Sequence, residues 1–290
     1  MRHLRIYEAI RTIVKTGSIR RASEYQRISP SALNRAVLAF EEEIGVEIFD
    51  RLPSGVRLSV PGELLYYHLE DHLTRMSDFS ALLAEMKGMS AGTLRLSVSG
   101  DLVQFFLPDI LSEYRAAYPG IETQIEISET SEALAARDTD LALVTRPETN
   151  KGVAVALFHE SAILGRVARD HKGEALSLAD LPDHALLLPP TGSGLRDIVD
   201  LTLRKNDIEP RATHIYPGVY PALNAAPPDL QFVLACNAGE AVRQGARLIP
   251  LTGLRLPPVQ VTLLKRCDGT LPRAAERFVN ILQARFNRLC

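Results

Sequence analysis

The sequence is short of cysteine, has no long apolar run and carries almost no net charge, and each shortage closes off a class of protein. Its three cysteines, Cys236, Cys267 and Cys290, are odd in number and far apart, with no CxxC pair. That spacing argues against a disulfide framework and against a zinc site, and fits reduced thiols in a reducing compartment. No apolar run approaches the ~20 residues that span a bilayer, so no membrane partner is expected. The opening MRHLRIYEAI reads as a charged amphipathic helix and not as a signal peptide, which makes a cytoplasmic location the expectation. A net charge of -2 gives no hint of a nucleic-acid partner through overall charge. The chain also lacks a GxSxG elbow and a paired-carboxylate motif. Nothing in it asks for a catalytic residue, a cofactor or a metal, so an enzyme is not expected.

What is present is room for two domains. The 290 residues are 46% hydrophobic and 23% charged, enough for sizeable cores without repeats or low-complexity segments. The positive charge is local. Residues 1–60 hold ten Lys and Arg against seven acids, and between Ser18 and Val37 four arginines meet only Glu24. Ile6, Tyr7, Ile10, Ile13 and Val14 recur at three and four, which predicts a helix from about Leu4 to Lys15. Thr16-Gly17 stops it, and Ser18 caps a short helix to about Tyr25. Ser29 caps a third helix with Pro30 in its first position, Leu33, Val37, Phe40 and Ile44 on one face and Gly45 at its end. Ser31, Asn34, Arg35 and Leu38 fall on the opposite face. Two short helices joined by a tight turn, the second polar and basic outside, make a helix-turn-helix.

Ile48 to Arg51 and Val56 to Leu58 read as strands around Pro53-Ser54-Gly55, a hairpin carrying Arg51 and Arg57 toward phosphates. Ser59 then caps a long helix to about Lys87, with Leu65, Leu69, Leu73, Met76, Ser80 and Leu83 near a heptad seam. Such a helix either packs on its own domain or joins two chains, and its ~40 Å length favours the second. Residues 88–92 break it. Beyond lie alternating strands and helices: strands near 94–98, 122–127, 141–144, 153–158, 161–167, 185–189, 213–216, 231–235 and 259–265. Helices fall near 102–118, 132–137, 194–205, 236–244 and 272–288. This alternation implies an α/β domain with mostly parallel strands.

The run GSIRRASEYQRISPSALNRAVLAFEEEIGVEIFDRLPSGVRLSVPGELL resembles the DNA-binding domain of LysR-type transcriptional regulators. The likeness lies in Gly17-Ser18, Ala22-Ser23, Ser29, Ala32-Leu33 with Arg35, Glu41-Glu42-Glu43-Ile44-Gly45 and Phe49-Asp50-Arg51, in order, over about residues 4–66. GTLRLSVSGDLVQFFLPDILSEYRAAYPGIETQIEI, DLALVTRP and RLIPL resemble the family's effector-domain strands and Leu-Pro helix. The resemblance implies an α+β multidomain chain. Residues 1–60 would form a winged helix-turn-helix and 61–90 a dimerising linker helix. Residues 91–290 would form an α/β effector domain like a periplasmic binding protein, with two Rossmann-like subdomains (about 91–160 with 267–290, and 161–266) joined by two crossover strands. Its implied partners are double-stranded DNA with a dyad-symmetric operator, a small-molecule effector between the subdomains, and further copies of the chain. A homodimer through the linker helices, often assembling into a homotetramer, is the implied state, with RNA polymerase a further candidate partner. Two departures stand out. Where the family usually has a base-reading Gln and then Pro, this chain has Pro30-Ser31, which shifts base reading to Ser31, Asn34 and Arg35. Between Asn224 and Ala238 the usual Gly-Leu-Gly turn is replaced by Asp229-Leu230-Gln231.

Candidate DNA contacts are therefore Ser18, Arg20, Ser29, Pro30, Ser31, Asn34, Arg35, Arg51 and Arg57. Candidate effector contacts are Ser99, Gly100, Asp101, Thr130, Ser131, Thr145, Arg146, Thr191 and Ser193, where strands end and helices begin. Their hydroxyls serve equally well as plain helix caps. Asp101 suits a cap or a cationic group, and with Arg146 a zwitterion or a polyol. Thr191-Gly192-Ser193-Gly194 is no dinucleotide loop, since Asp197 stands where GxGxxG needs glycine. His68 and His72 lie one turn apart, but not as HExxH, and read as solvated. Two other readings stay open: a cleft-type binding protein whose N-terminal helices meet proteins, and an enzyme with an appended DNA-binding domain.

Overall fold

A computed structural model describes residues 2–53, 55–86, 91–103, 106–146, 152–167, 171–215, 230–243, 247–253, 256–267 and 270–289. The chain divides into two compact units, Met1–Leu83 and Ala84–Cys290. The first contains α1 (Arg2–Thr16), α2 (Ile19–Gln26), α3 (Pro30–Ile44), the hairpin β1 (Phe49–Leu52) and β2 (Gly55–Leu58), and most of α4 (Val60–Met86). Ile10 and Ile13, Ala22, and Leu33, Val37 and Phe40 bring the first three helices to one core with Ile48 and Phe49. Local chemistry starts and stops these helices. Ser18, Ser29 and Ser59 hydroxyls accept the amides of Arg21, Ala32 and Gly62 at 3.4, 3.2 and 3.0 Å, each answering a free first-turn N–H. Gly45 ends α3 at a φ of 75°, a conformation that costs a residue with Cβ.

Two expectations change here. Ile44 is exposed, because it lies past the last core layer, set by Phe40, at the end of α3. The α4 seam divides in two: Tyr66, Leu69 and Leu73 enter the core of their own unit, whereas Met76, Phe79, Leu82 and Leu83 are exposed. Packing on its own domain therefore accounts for the first half of α4 and leaves the second half uncovered within this unit. Of residues 88–92, where the break is expected, 88–90 lie outside those described, and Gly92 already begins the next strand.

The second unit opens with β3 (Gly92–Val98), α5 (Gly100–Val103), α6 (Leu107–Ala117), β4 (Ile121–Ile127), α7 (Glu132–Ala135), β5 (Leu141–Val144) and β6 (Val153–Ser161). It continues with β7 (Ile163–Val167), β8 (Leu176–Ser177), β9 (Ala185–Leu188), α8 (Gly194–Lys205), β10 (Ala212–Ile215) and β11 (Leu230–Leu234). It closes with α9 (Ala238–Arg243), β12 (Arg247–Ile249), β13 (Leu251–Thr252), β14 (Val259–Arg266) and α10 (Arg273–Leu289). Two five-stranded sheets result, in the orders β4-β3-β5-β14-β6 and β10-β9-β11-β7-β12. Each is mixed and not mostly parallel: β4, β3 and β5 pair parallel, as do β10, β9 and β11, while the other neighbours are antiparallel. Helical crossovers impose parallel pairing, whereas β7 follows directly on β6 of the other sheet and β14 follows β13 of the small β13-β8 pair.

The chain crosses between sheets at Ala162, between β6 and β7, and again between β13 and β14. Because β14 pairs with β5 and β6, the first subdomain resumes at Val259 and the second does not extend to 266. The single helix expected over 102–118 is two, α5 and α6, with Pro108 in the first turn of α6, where its missing N–H costs least. The fully buried strands β5 and β9, LALV and ALLL, anchor the sheets. Strands β4 and β5 flank β3 on opposite sides, so the ends of β3 and β5 open onto a topological switch point, the usual ligand crevice of such sheets.

Candidate nucleic-acid interface and ligand cleft

On the first unit, Ser31 and Arg35 are exposed along α3 and Asn34 is half-buried beside them. The Arg51 guanidinium donates to Asn34 Oδ1 at 2.9 Å, tying the wing strand to α3 and leaving the Asn34 amide N–H groups as donors. Ser29 Oγ accepts the Ala32 amide and lies 3.2 Å from Ser31 Oγ, and the exposed Pro30 occupies the first turn of α3. Ser18 is half-buried at the start of α2, and the exposed Arg20 pairs only loosely with Glu24 at 3.9 Å. Arg57 meets Asp50 across the hairpin at 2.9 Å with its side chain 69% exposed. An exposed pair of this kind is worth about 0–1 kcal/mol, so a phosphate can take the place of the carboxylate. The structure thus gathers Ser29, Ser31, Asn34, Arg35 and Arg51 on α3 and the wing, and adds a partner for Arg57 that the sequence did not show.

Glu41 has a role no spacing argument reveals. Its Oε1 accepts the Ile48 and Phe49 amides at 2.7 and 3.1 Å, fastening the entry to the wing. The wing is held from the other side by the Val56 amide on the Gly17 carbonyl at 3.0 Å. A Cβ on Gly55 would overlap that same carbonyl. On α4, His68 and His72 are exposed and stand edge-on to Tyr67 and Tyr7.

In the second unit the predicted cleft residues meet around the N-terminus of α8. Ser99 is fully buried at the end of β3, and its Oγ accepts the Thr145 amide at 3.2 Å. Asp101 Oδ2 accepts the Thr145 hydroxyl at 3.0 Å and the Leu195 amide at 3.3 Å. Thr145 Oγ1 in turn accepts the Gly194 amide at 3.0 Å, and a Cβ on Gly194 would overlap the Thr145 carbonyl. The subdomains are therefore latched where α8 begins. Arg146 adds an ion pair to Asp197 at 3.3 Å. Ser193 caps α8 through the Arg196 amide at 3.1 Å, while Thr191 is exposed. Thr130 accepts the Glu132 amide at 3.4 Å, and Ser131 is buried without a side-chain cap bond to α7.

Three cleft residues escape a reading of the sequence alone. Glu129 Oε1 accepts the Gly100 amide at 2.8 Å, and Asn237 donates to the Asp101 carbonyl at 3.0 Å. Ser161 Oγ accepts the Cys236 amide at 3.0 Å. Burial, and next the charge of Glu129, raise the Asp101 carboxyl to about 6. Burial likewise pushes the Cys236 thiol up to about 11, so it stays protonated. An acidic residue just after a strand, as at Glu129, is the one sequence signal available. Of the segment lacking the glycine turn, 224–229 lies outside the described residues.

Residues 87–287 match the family model described as the LysR substrate binding domain, and residues 2–63 match that of the bacterial regulatory helix-turn-helix protein, lysR family. Among curated relatives, the RuBisCO operon transcriptional regulator of Allochromatium vinosum is 27% identical over 206 residues, 69% of this chain and 67% of its own. A full-length OxyR variant from Pseudomonas aeruginosa superposes with a TM-score of 0.66 at 20% identity, over 97% of this chain and 94% of its own. Full-length CbnR complexed with its target DNA gives 0.55 at 19%, over 97% and 99%. Both likenesses concern the fold. A winged helix-turn-helix, two latched subdomains and a family model spanning most of the sequence lead to one conclusion: the chain belongs to the LysR family, a transcription regulator with a DNA-binding and an effector-binding domain, and not an enzyme.

Proposed function

We propose that the protein binds a dyad-symmetric operator as a dimer, with α3 in the major groove and the wing along the backbone. Ser31, Asn34 and Arg35 face base edges, while Ser18, Arg20, Ser29, Arg51 and Arg57 hold phosphates. Pro30 fixes the start of the helix and offers no side-chain donor. The observation that carries this reading is the exposed row Ser31–Asn34–Arg35, braced by Arg51 from the wing. CbnR, a protein of this fold, has been crystallised with its target DNA bound, which supports it. An effector between the subdomains, near Ser99, Gly100, Asp101, Thr130, Ser131, Thr145, Arg146, Thr191 and Ser193, biases their closure and so the spacing of paired DNA-binding domains. Assembly to a tetramer, contact with RNA polymerase and a cytoplasmic setting belong to the same proposal. Among the described residues, no helix is long and apolar enough to cross a membrane.

A gel-shift assay with DNA flanking the protein's own gene tests the recognition surface. Asn34→Ala with Arg35→Ala removes specific binding, while Arg20→Ala weakens binding to all sequences alike and flattens its dependence on salt. Undiminished specific binding by the double variant overturns the assignment of α3.

A further inference from the structure

Two carboxylate oxygens in the cleft are buried and have no hydrogen-bond partner, Asp101 Oδ1 and Glu129 Oε2. Each belongs to a side chain whose other oxygen is firmly held, by Thr145 and Leu195 in one case and by the Gly100 amide in the other. Both flank Gly100 at the subdomain junction. The Leu195 amide reaches Asp101 from across the cleft, and a Cβ on Gly192 would come within 3.9 Å of the Glu129 Cβ. An ionised oxygen sealed from water without a donor is costly, and two like charges compound the cost. Nearby guanidinium groups are engaged elsewhere: Arg146 with Asp197, and Arg196 with Asp200 and the Pro189 carbonyl. Among the described residues, no cationic side chain of the cleft answers these two buried acceptors.

We propose that the cleft takes an organic cation, its ammonium or guanidinium N–H groups seated between Asp101 Oδ1 and Glu129 Oε2. This rests on reading the cleft as the effector site, and it adds the charge class of the effector. Ammonium and guanidinium groups carry several donors and no acceptor, matching two acceptor oxygens with charge-assisted hydrogen bonds. A carboxylate ligand would meet two negative groups instead. A divalent metal wants a fuller set of ligands, and among the described residues no three His, Cys, Asp or Glu groups are placed to hold one. Burial, and next the charge of Glu129, raise the Asp101 carboxyl to about 6, so the site already draws positive charge, as a proton, toward neutrality.

Calorimetry and thermal melting of the full-length protein at pH about 8, above the Asp101 transition, test this with n-butylammonium, n-butylguanidinium, butyrate and calcium ion. Both organic cations bind the wild type and raise its Tm. Asp101→Asn with Glu129→Gln weakens them by about tenfold or more, the scale of lost charge-assisted bonds. If that pair fails to fold, Glu129→Gln alone carries the same test. Three results overturn the proposal: no cation binding by the wild type, binding of calcium in preference to either organic cation, or cation binding undiminished in the variants. The last result places the cation away from these two carboxylates and leaves the effector-site reading standing. Butyrate binding that strengthens in the variants overturns only the charge class, because it puts an anion in this same cleft.

Discussion

At Asp101 a carboxyl group lies between the N-terminus of α8 and the side chain of Glu129, and its protonation is coupled to folding. Its folded pKa of about 6 exceeds the ordinary value of 3.8 because of burial, then of Glu129. The folded state prefers the protonated form, so the stabilising contribution is complete below about pH 4 and is lost as pH rises through 6. Glu129 is the titratable group acting on it, and Asp101 in turn adds to the burial that keeps the Cys236 thiol protonated. Asp101→Asn mimics the protonated form and keeps an oxygen for Thr145 and Leu195. Thermal melts across pH therefore show the variant more stable than the wild type at pH 8 by on the order of 2 kcal/mol, the gap closing by pH 4. A gap that does not vary with pH rules out a cost from burying an ionised Asp101.

The elements owe their edges to single polar groups. Ser29→Ala leaves the Ala32 amide of α3 without its acceptor, and about 1 kcal/mol of stability goes with it, read as a lower Tm. Glu41 matters more, because one charged oxygen serves two amides at the wing entry. Glu41→Ala costs about 2 kcal/mol, in the range for bonds to charged acceptors. Glu41→Gln keeps an oxygen there and restores much of that loss in a chemical denaturation series. Equal losses for the two variants separate the effect from the hydrogen bonds. The caps were legible in sequence because a cap is decided within three residues. The Glu41 anchor was not, since seven and eight residues separate donor from acceptor and a turn lies between.

For the molecule as a whole, the exposed second half of α4 bears on assembly. Met76, Phe79, Leu82 and Leu83 share one side of a helix at spacings of three and four, and Phe79 is 53% exposed. They give the proposed dimer an apolar face that the first half, committed to its own core, does not offer. Phe79→Glu with Leu83→Glu is expected to shift sedimentation from dimer to monomer and to lower operator affinity, while leaving the melting of the isolated chain little changed. A dimer that persists in this variant places the interface elsewhere.

The sequence by itself determined the short-range features: the caps at Ser18, Ser29 and Ser59, the turn at Gly45, the polar row on α3 and the alternation of strands and helices. These depend on φ/ψ preference and on periods of 2 and 3.6, which a few consecutive residues express. Tertiary structure decided sheet order, the return of β14 to the first subdomain, the split of α4 and the Asp101–Glu129 pair. Asp101 meets Leu195 across 94 positions and its carbonyl meets Asn237 across 136. Such meetings follow from which strands lie side by side, and strand adjacency is set by the packing energy of the whole sheet and not by any local stretch of chain.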